Sequence, residues 1–180
     1  QRSHGRVINS GEQVIGPFLR RLKIRHIDQL ILTHHDSDHM GGAPWLLKNF
    51  SVGLVYDNGR KEITEIYRDF SNLVKTLKIN YQTLERGDRL RFGADVIAHI
   101  LSPCYENEFD DNDQSIVMKI IYGNFELLTT GDIEKTTERE LCVFFGRQLK
   151  ADLLKSPHHG SKTSSSKPLL AYVQPSVVSV

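Results

Sequence analysis

Four side chains able to hold a divalent metal, His34, Asp36, Asp38 and His39, fall within six consecutive positions of the segment Thr33-His34-His35-Asp36-Ser37-Asp38-His39-Met40-Gly41-Gly42. Imidazole nitrogens and carboxylate oxygens are the ordinary protein ligands of such ions. The apolar run Leu30-Ile31-Leu32 comes just before, and 30–33 reads as a buried strand. A strand that ends in such a loop holds its donors together at its C-terminal edge. Gly41 and Gly42 are expected to let the backbone turn tightly and approach the site. The alternative is a solvated polar turn, and the density of donors argues against it.

A chain of 180 residues suits one domain with a sizeable core. Apolar residues make up 39% and charged residues 25%, so neither a disordered nor a fibrous class applies. The net charge is +1, so any hold on a polyanion must come from local patches or bound metal. No run of about 18 apolar residues that could span a membrane is present, and no secretory leader is visible. Cys104 and Cys142 form no CxxC or Cys/His cluster and read as buried thiols.

Periodicity places a short amphipathic helix with a basic face at 17–25 and a helix from Gly41-Gly42-Ala43-Pro44 to Lys48. A strand is expected at 52–56, closed by Asp57-Asn58-Gly59. A helix at 62–78 carries Ile63, Ile66, Tyr67, Phe70, Leu73, Val74 and Leu77 on one stripe. Strands follow at 80–84, 88–92 and 95–101, then a polar loop at 105–114. Residues 115–122 and 125–130, joined by Gly123-Asn124, form a hairpin. The remainder reads as helix 133–145, strand 151–154, helix 164–173 and strand 176–180. Strands interleaved with helices define a layered α/β domain.

Two further polar clusters follow apolar strands. Thr129-Thr130-Gly131-Asp132 brings a carboxylate to the end of the hairpin, although Asp132 could instead cap the helix beginning near Ile133. Ser156-Pro157-His158-His159-Gly160-Ser161-Lys162-Thr163-Ser164 offers a metal ligand, a general acid or phosphate-binding donors; its bland reading is a capped surface loop. It is not a P-loop, because the spaced glycine is missing. Active sites of α/β sheets gather at the C-terminal ends of strands, so three such clusters together favour one metal site over three unrelated turns.

With these residues in view, Thr33 to Gly42 resembles the Thr-His-x-His-x-Asp-His-x-Gly-Gly signature of the metallo-β-lactamase fold, with Asp36 where a second histidine is usual. That substitution is similar to the C-terminal domain of the ComEC family, the membrane channel that takes up DNA in bacterial competence. The stretches from Gly11 to Arg20, Asn112 to Ser115, Leu128 to Glu134 and Leu154 to Ser164 resemble the same family in order and spacing.

The resemblance implies an α/β fold, the metallo-β-lactamase-like αββα sandwich, holding two divalent metals. It assigns His34 and Asp36 to one metal, Asp38 and His39 to the other, and Asp132 as the bridge. One of His158 and His159 would ligate metal or protonate the leaving group; His158 is placed in the metal set, and Asp38, His158 and His159 are the catalytic candidates. The implied activity is a DNase acting on the strand not imported during transformation. The implied partners are DNA and the transmembrane channel of the full-length protein, with this domain on the outer, periplasmic face of the inner membrane. The family's first strand hairpin and last histidine loop are expected outside residues 1–180, so the chain is expected to be one domain cut at both ends. Asp111-Asn112-Asp113 stands where most relatives carry a histidine, which makes Asn112 a weak ligand.

Phosphodiester hydrolysis requires an activated water, charge neutralisation and a proton for the leaving oxygen. Ser161 and Lys162 are candidate donors to phosphate, Lys155 and Lys167 could grip neighbouring phosphates, and a histidine of ordinary pKa about 6.5 suits the acid. Two histidines with three aspartates form an oxygen-rich set, which favours Mn²⁺ or Mg²⁺ over Zn²⁺. Two rival readings stand: a metallo-hydrolase of a small phosphodiester or ester, and an inactive DNA-binding scaffold. Among the other histidines, His35 should point away from the ligands, His26 ends the basic helix, His99 packs in a strand and His4 is terminal. Arg20, Arg21, Lys23 and Arg25 read as a solvated face rather than a DNA-facing patch.

Overall fold

The structure is a computed structural model describing residues 9–104 and 112–180, with the backbone of 2–3 and 6–7. His4, Asp111 and most of the expected polar loop lie outside the described residues. The chain divides into two compact units, Gln1–Thr83 and Leu84–Val180. Among the described residues, no helix is long and apolar enough to cross a membrane.

The first unit opens with a two-stranded antiparallel pair, β1 (Arg2–Ser3) and β2 (Arg6–Val7). A π-helical turn at Gly11–Ile15 then runs into α1 (Gly16–Arg21). A parallel three-stranded sheet follows, ordered β3 (His26–Ile31), β4 (Ser51–Asp57), β5 (Asn80–Thr83). Its connections are α2 (Ser37–Met40) with α3 (Ala43–Asn49), and then α4 (Glu65–Thr76). Parallel neighbours require such crossovers, and their apolar faces build the core: Leu32, Met40, Ala43, Leu47, Val55, Phe70 and Val74 pack together. Burying each large side chain of this kind contributes about 1.5–3 kcal/mol.

Several expectations shift here. The strand expected at 30–33 is β3 and begins earlier, at His26, because β3 is an edge strand with His26 and Asp28 exposed while Ile27 is half-buried. His26 therefore does not end a helix; its Nδ1 stands 3.0 Å from Ser51 Oγ on the neighbouring strand. The first helix stops at Arg21, and Lys23 adopts a left-handed φ of 59°. Arg20 does not face solvent alone, since its guanidinium lies 5.2 Å from the Trp45 ring centre. The helix expected over 62–78 begins at Glu65, where the Thr64 hydroxyl accepts the Tyr67 N–H at 3.2 Å. That leaves Ile63 before the helix and 82% exposed.

The second unit is a six-stranded sheet ordered β11-β10-β9-β8-β7-β6. Strands β6 (Arg89–Phe92), β7 (Val96–Ser102), β8 (Val117–Tyr122) and β9 (Phe125–Thr129) form an antiparallel meander. The β8–β9 turn uses Gly123 at φ 57°. Then β10 (Leu153–Lys155) and β11 (Val177–Ser179) add in parallel, connected through α5 (Lys135–Phe145) and α6 (Lys167–Val173). Leu128, Ile133, Leu141, Leu149, Leu154, Leu169 and Val173 close the core between these helices and the sheet. Both thiols are free, Cys142 buried and Cys104 only partly so, which corrects the expectation that both are buried.

Candidate metal-ligand loops

In the first unit the β3 ladder extends one residue past the strand, Leu32 N–H donating to Tyr56 O at 2.9 Å. The chain then leaves the sheet and re-enters helix at Asp36, which is extended and whose carbonyl accepts from His39 and Met40 N–H groups. The single turn of α2 thereby sets Asp38 and His39 beside His34. His34 is 1% exposed, and the Thr33 hydroxyl stands 3.1 Å from its Nδ1. His34 Nε2 lies 3.9 Å from Asp36 Oδ2, His39 Nε2 lies 3.8 Å from Asp38 Oδ2, and the His34 and His39 ring centres are 4.1 Å apart. Two ligands about 2.1 Å from one tetrahedral ion stand about 3.4 Å apart, so these pairs are spaced like co-ligands and too widely for hydrogen bonds.

Gly41 and Gly42 serve this loop differently from the expectation. Both have ordinary negative φ, −59° and −82°. Their requirement is space: a Cβ on Gly42 would stand 2.6 Å from Gly11 N, and one on Gly41 would stand 2.3 Å from Ser37 O. The bare Gly42 lets the ligand loop close against the segment at Gly11, and the bare Gly41 lets the chain turn tightly over Ser37 O.

His35, between two candidate ligands, turns into the unit. Its Nε2 donates to Asp57 Oδ2 at 3.1 Å, and the other Asp57 oxygen accepts from Tyr81 OH and Gly59 N–H, each at 2.7 Å. Asp57 was legible only as the start of a turn, yet it ends β4 just as the ligands follow β3. Its position at a strand's C-terminal end was the signal that could have marked it.

In the second unit Asp132 follows β9 and is 3% exposed. Its N–H donates to Ser115 Oγ at 3.1 Å. Lys155 Nζ donates to its Oδ1 at 3.1 Å and to Gly131 O at 2.7 Å. His159 Nε2 stands 3.1 Å from its Oδ2. Asp132 does not cap α5. That helix starts at Lys135, and its N-terminal Glu134 and Thr137 N–H groups are taken by Asp113 Oδ1 at 2.7 and 3.2 Å.

His158 points elsewhere: its Nδ1 is 3.0 Å from Glu134 Oε1, which also accepts from the Thr163 hydroxyl at 2.9 Å. His158 and His159 both take left-handed φ, 44° and 51°, which costs on the order of 1–3 kcal/mol each. The loop is fixed by His158 N–H donating to Gly131 O, by Ser164 Oγ donating to Pro157 O, and by Glu138 accepting from Ser165 and Ser166 N–H groups. Two adjacent left-handed residues turn the rings apart, one to Asp132 and one to Glu134. Lys155 is held at Asp132 rather than reaching outward. Ser161 Oγ stands 3.0 Å from Thr163 Oγ1, and Lys162 and Lys167 are exposed.

These donors fit a divalent ion. A nearly buried carboxylate approached on both oxygens by Lys155 and His159 is a place prepared for positive charge, and buried carboxylates persist only where such charge is supplied. The first unit's loop supplies two imidazole–carboxylate pairs at co-ligand spacing.

A sequence model of the Metallo-beta-lactamase superfamily matches residues 5–177. The chain belongs to that superfamily and has its α/β fold. It is homologous to a segment of bacterial competence proteins: it is 35% identical over 172 residues to ComE operon protein 3 of Bacillus subtilis (strain 168), covering 92% of this chain and 21% of that protein. Competence protein ComA of Neisseria gonorrhoeae is 32% identical over 161 residues, covering 89% of this chain and 21% of that protein. The chain thus spans about a fifth of the length of the curated relatives it matches. Among solved structures, Igni18, a metallo hydrolase from Ignicoccus hospitalis KIN4/I, aligns with a TM-score of 0.54 at 16% identity, over 93% of this chain and 67% of that one.

Proposed function

We propose that this domain is the metal-dependent nuclease of a DNA-uptake protein, hydrolysing the strand that is not imported, and that the two sets of donors serve one two-metal centre. The observation that carries this reading is Asp132, a buried carboxylate addressed by Lys155 and His159, in a chain whose relatives are competence proteins. His34, Asp36, Asp38 and His39 would hold the metals with Asp132 as the bridge. His159 takes the place in the metal set first given to His158, because its ring is the one beside Asp132.

Two divalent ions held there would supply charge neutralisation and lower the pKa of a water. The protein's residues do the rest. Ser115 holds the Asp132 backbone N–H, and Lys155 fixes the carboxylate. Glu134 Oε1, 3.0 Å from His158 Nδ1, orients that ring, and His158 is the group on this loop that would give a proton to the leaving oxygen. Lys162 and Ser161 stand on the same loop to take non-bridging phosphate oxygens. The three aspartates, Asp36, Asp38 and Asp132, favour Mn²⁺ or Mg²⁺ beside the three histidines.

A plasmid-nicking assay beside a chromogenic small phosphodiester tests the reading. Cleavage of the plasmid, lost in Asp38→Ala, is the expected result. Turnover of the small substrate alone would favour a small-molecule phosphodiesterase. Stripped protein revived by Zn²⁺ but not by Mn²⁺ would contradict the metal assignment.

A further inference from the structure

The first unit contains a groove of about 1030 Å³ between α4, β5 and the loop after β4. None of the candidate ligands lines it. Its floor is apolar, with Phe70 and Val74. Its walls carry Lys61, Arg68, Lys75 and Lys78 against one acid, Glu62, and two tyrosines, Tyr67 and Tyr81. All four cations are exposed, and none has an ion pair among the described residues. The whole chain has a net charge of only +1, so this is a local concentration of positive charge.

The groove's shape and chemistry narrow the occupant. Arg68 and Lys75 are two helical turns apart, about 10 Å along α4, and Lys78 continues the row past the helix end. One phosphate cannot meet a row of that length, whereas a chain of phosphates can. Tyr81 is 41% exposed, and its hydroxyl is tied to Asp57, which fixes the ring. Tyr67 is steadied by the His35 ring, 4.8 Å away. Fixed aromatic rings beside unpaired cations are the elements by which proteins hold unstacked bases and their backbone. A duplex keeps its base faces covered and offers only its phosphates.

We propose that this groove binds a single-stranded segment of DNA, its phosphates on Lys61, Arg68, Lys75 and Lys78 and its bases against Tyr67 and Tyr81. The inference deepens the nuclease reading by adding a strand-holding surface apart from the metal ligands. Tyr81 and Tyr67 also reach the Asp57–His35 pair, so the strand would lie against the back of the His34–Asp36 loop.

The test is fluorescence anisotropy of a labelled oligothymidylate with the whole chain in EDTA, so that no hydrolysis occurs. Failure here leaves the nuclease reading standing, and a chain that cuts nothing can still pass. Lys75→Glu with Lys78→Glu should weaken binding at least tenfold and lower the salt slope by about 1.4, the loss of two single-strand phosphate contacts. Lys23→Glu with Arg25→Glu, outside the groove, should change affinity less than twofold, and a matching duplex should bind at least fivefold more weakly. Equal losses from the two pairs, affinity within twofold in the groove pair, or a duplex bound as tightly would each overturn the proposal. Should the first groove pair melt early, Lys61→Glu with Arg68→Glu provides the same readout.

Discussion

His35 donates from Nε2 to Asp57 Oδ2 at 3.1 Å inside the first unit, and neither residue is more than 8% exposed. The bond anchors the middle of the ligand loop to the end of β4. The opposite ring nitrogen, Nδ1, has no hydrogen-bond partner among the described residues, so the bond to Asp57 is the ring's polar anchor. Asp57→Ala would remove the acceptor of His35, Tyr81 and Gly59 at once. We expect it to destabilise the chain by about 3–5 kcal/mol, the cost of leaving a buried polar network unpartnered. Urea unfolding measures this, and a loss below about 1 kcal/mol would show that the network does not hold the loop.

Gly42→Ala tests the close approach to Gly11. The added methyl meets backbone nitrogen at 2.6 Å and Ser10 Oγ at 2.8 Å. Backbone cannot move aside as a flexible side chain would, so the variant should lose about 1–3 kcal/mol. Because the strain falls directly behind α2, Mn²⁺ affinity should fall with it. Unchanged thermal unfolding together with unchanged affinity would contradict the packing account.

Residues 33–42 were legible because ligand chemistry and glycine spacing are both written locally, and the hairpin at Gly123 was legible for the same reason. What sequence could not give were relations fixed by tertiary placement. Asp113 caps α5 from across the unit, so Asp132, adjacent in sequence to that helix, is released for another use. His158 and His159 look alike in sequence, and only their left-handed backbone sends one ring to Asp132 and the other to Glu134. Lys155 read as a phosphate grip because nothing in its neighbours announced the carboxylate beside it. Asp57 and Tyr81 were passed over because their partners lie more than twenty positions away.

His99 gives a pH prediction. Burial, then the positive charges of Arg89 and Lys119 on flanking strands, hold its pKa below the ordinary value of 6.5. The unfolded chain therefore takes up this proton at a higher pH than the folded chain. Stability is present above about pH 6.5 and is lost as pH falls through that value toward the lowered folded pKa. His99→Thr removes the contribution, so its unfolding midpoint should fall less than the parent's between about pH 7.5 and about pH 5.5. Parallel losses in the two proteins would contradict it.

Lys155→Met isolates the role assigned to that lysine. If Lys155 positions Asp132, the variant should lose at least tenfold in nuclease turnover and shift Mn²⁺ affinity, because the residues that orient ligands commonly matter by about 10–100-fold. If instead it gripped only substrate phosphate, DNA affinity alone would fall while Mn²⁺ affinity stayed constant. Calorimetric titration with Mn²⁺ alone separates the two outcomes.

Mn²⁺ binding stoichiometry in the metal-stripped chain, beside Asp132→Asn, tests the claim of a single two-metal centre most directly. We expect two ions per chain in the parent, and a bridging carboxylate requires that Asp132→Asn weaken both. No binding at millimolar Mn²⁺, or one site lost while the other is untouched, would contradict the account.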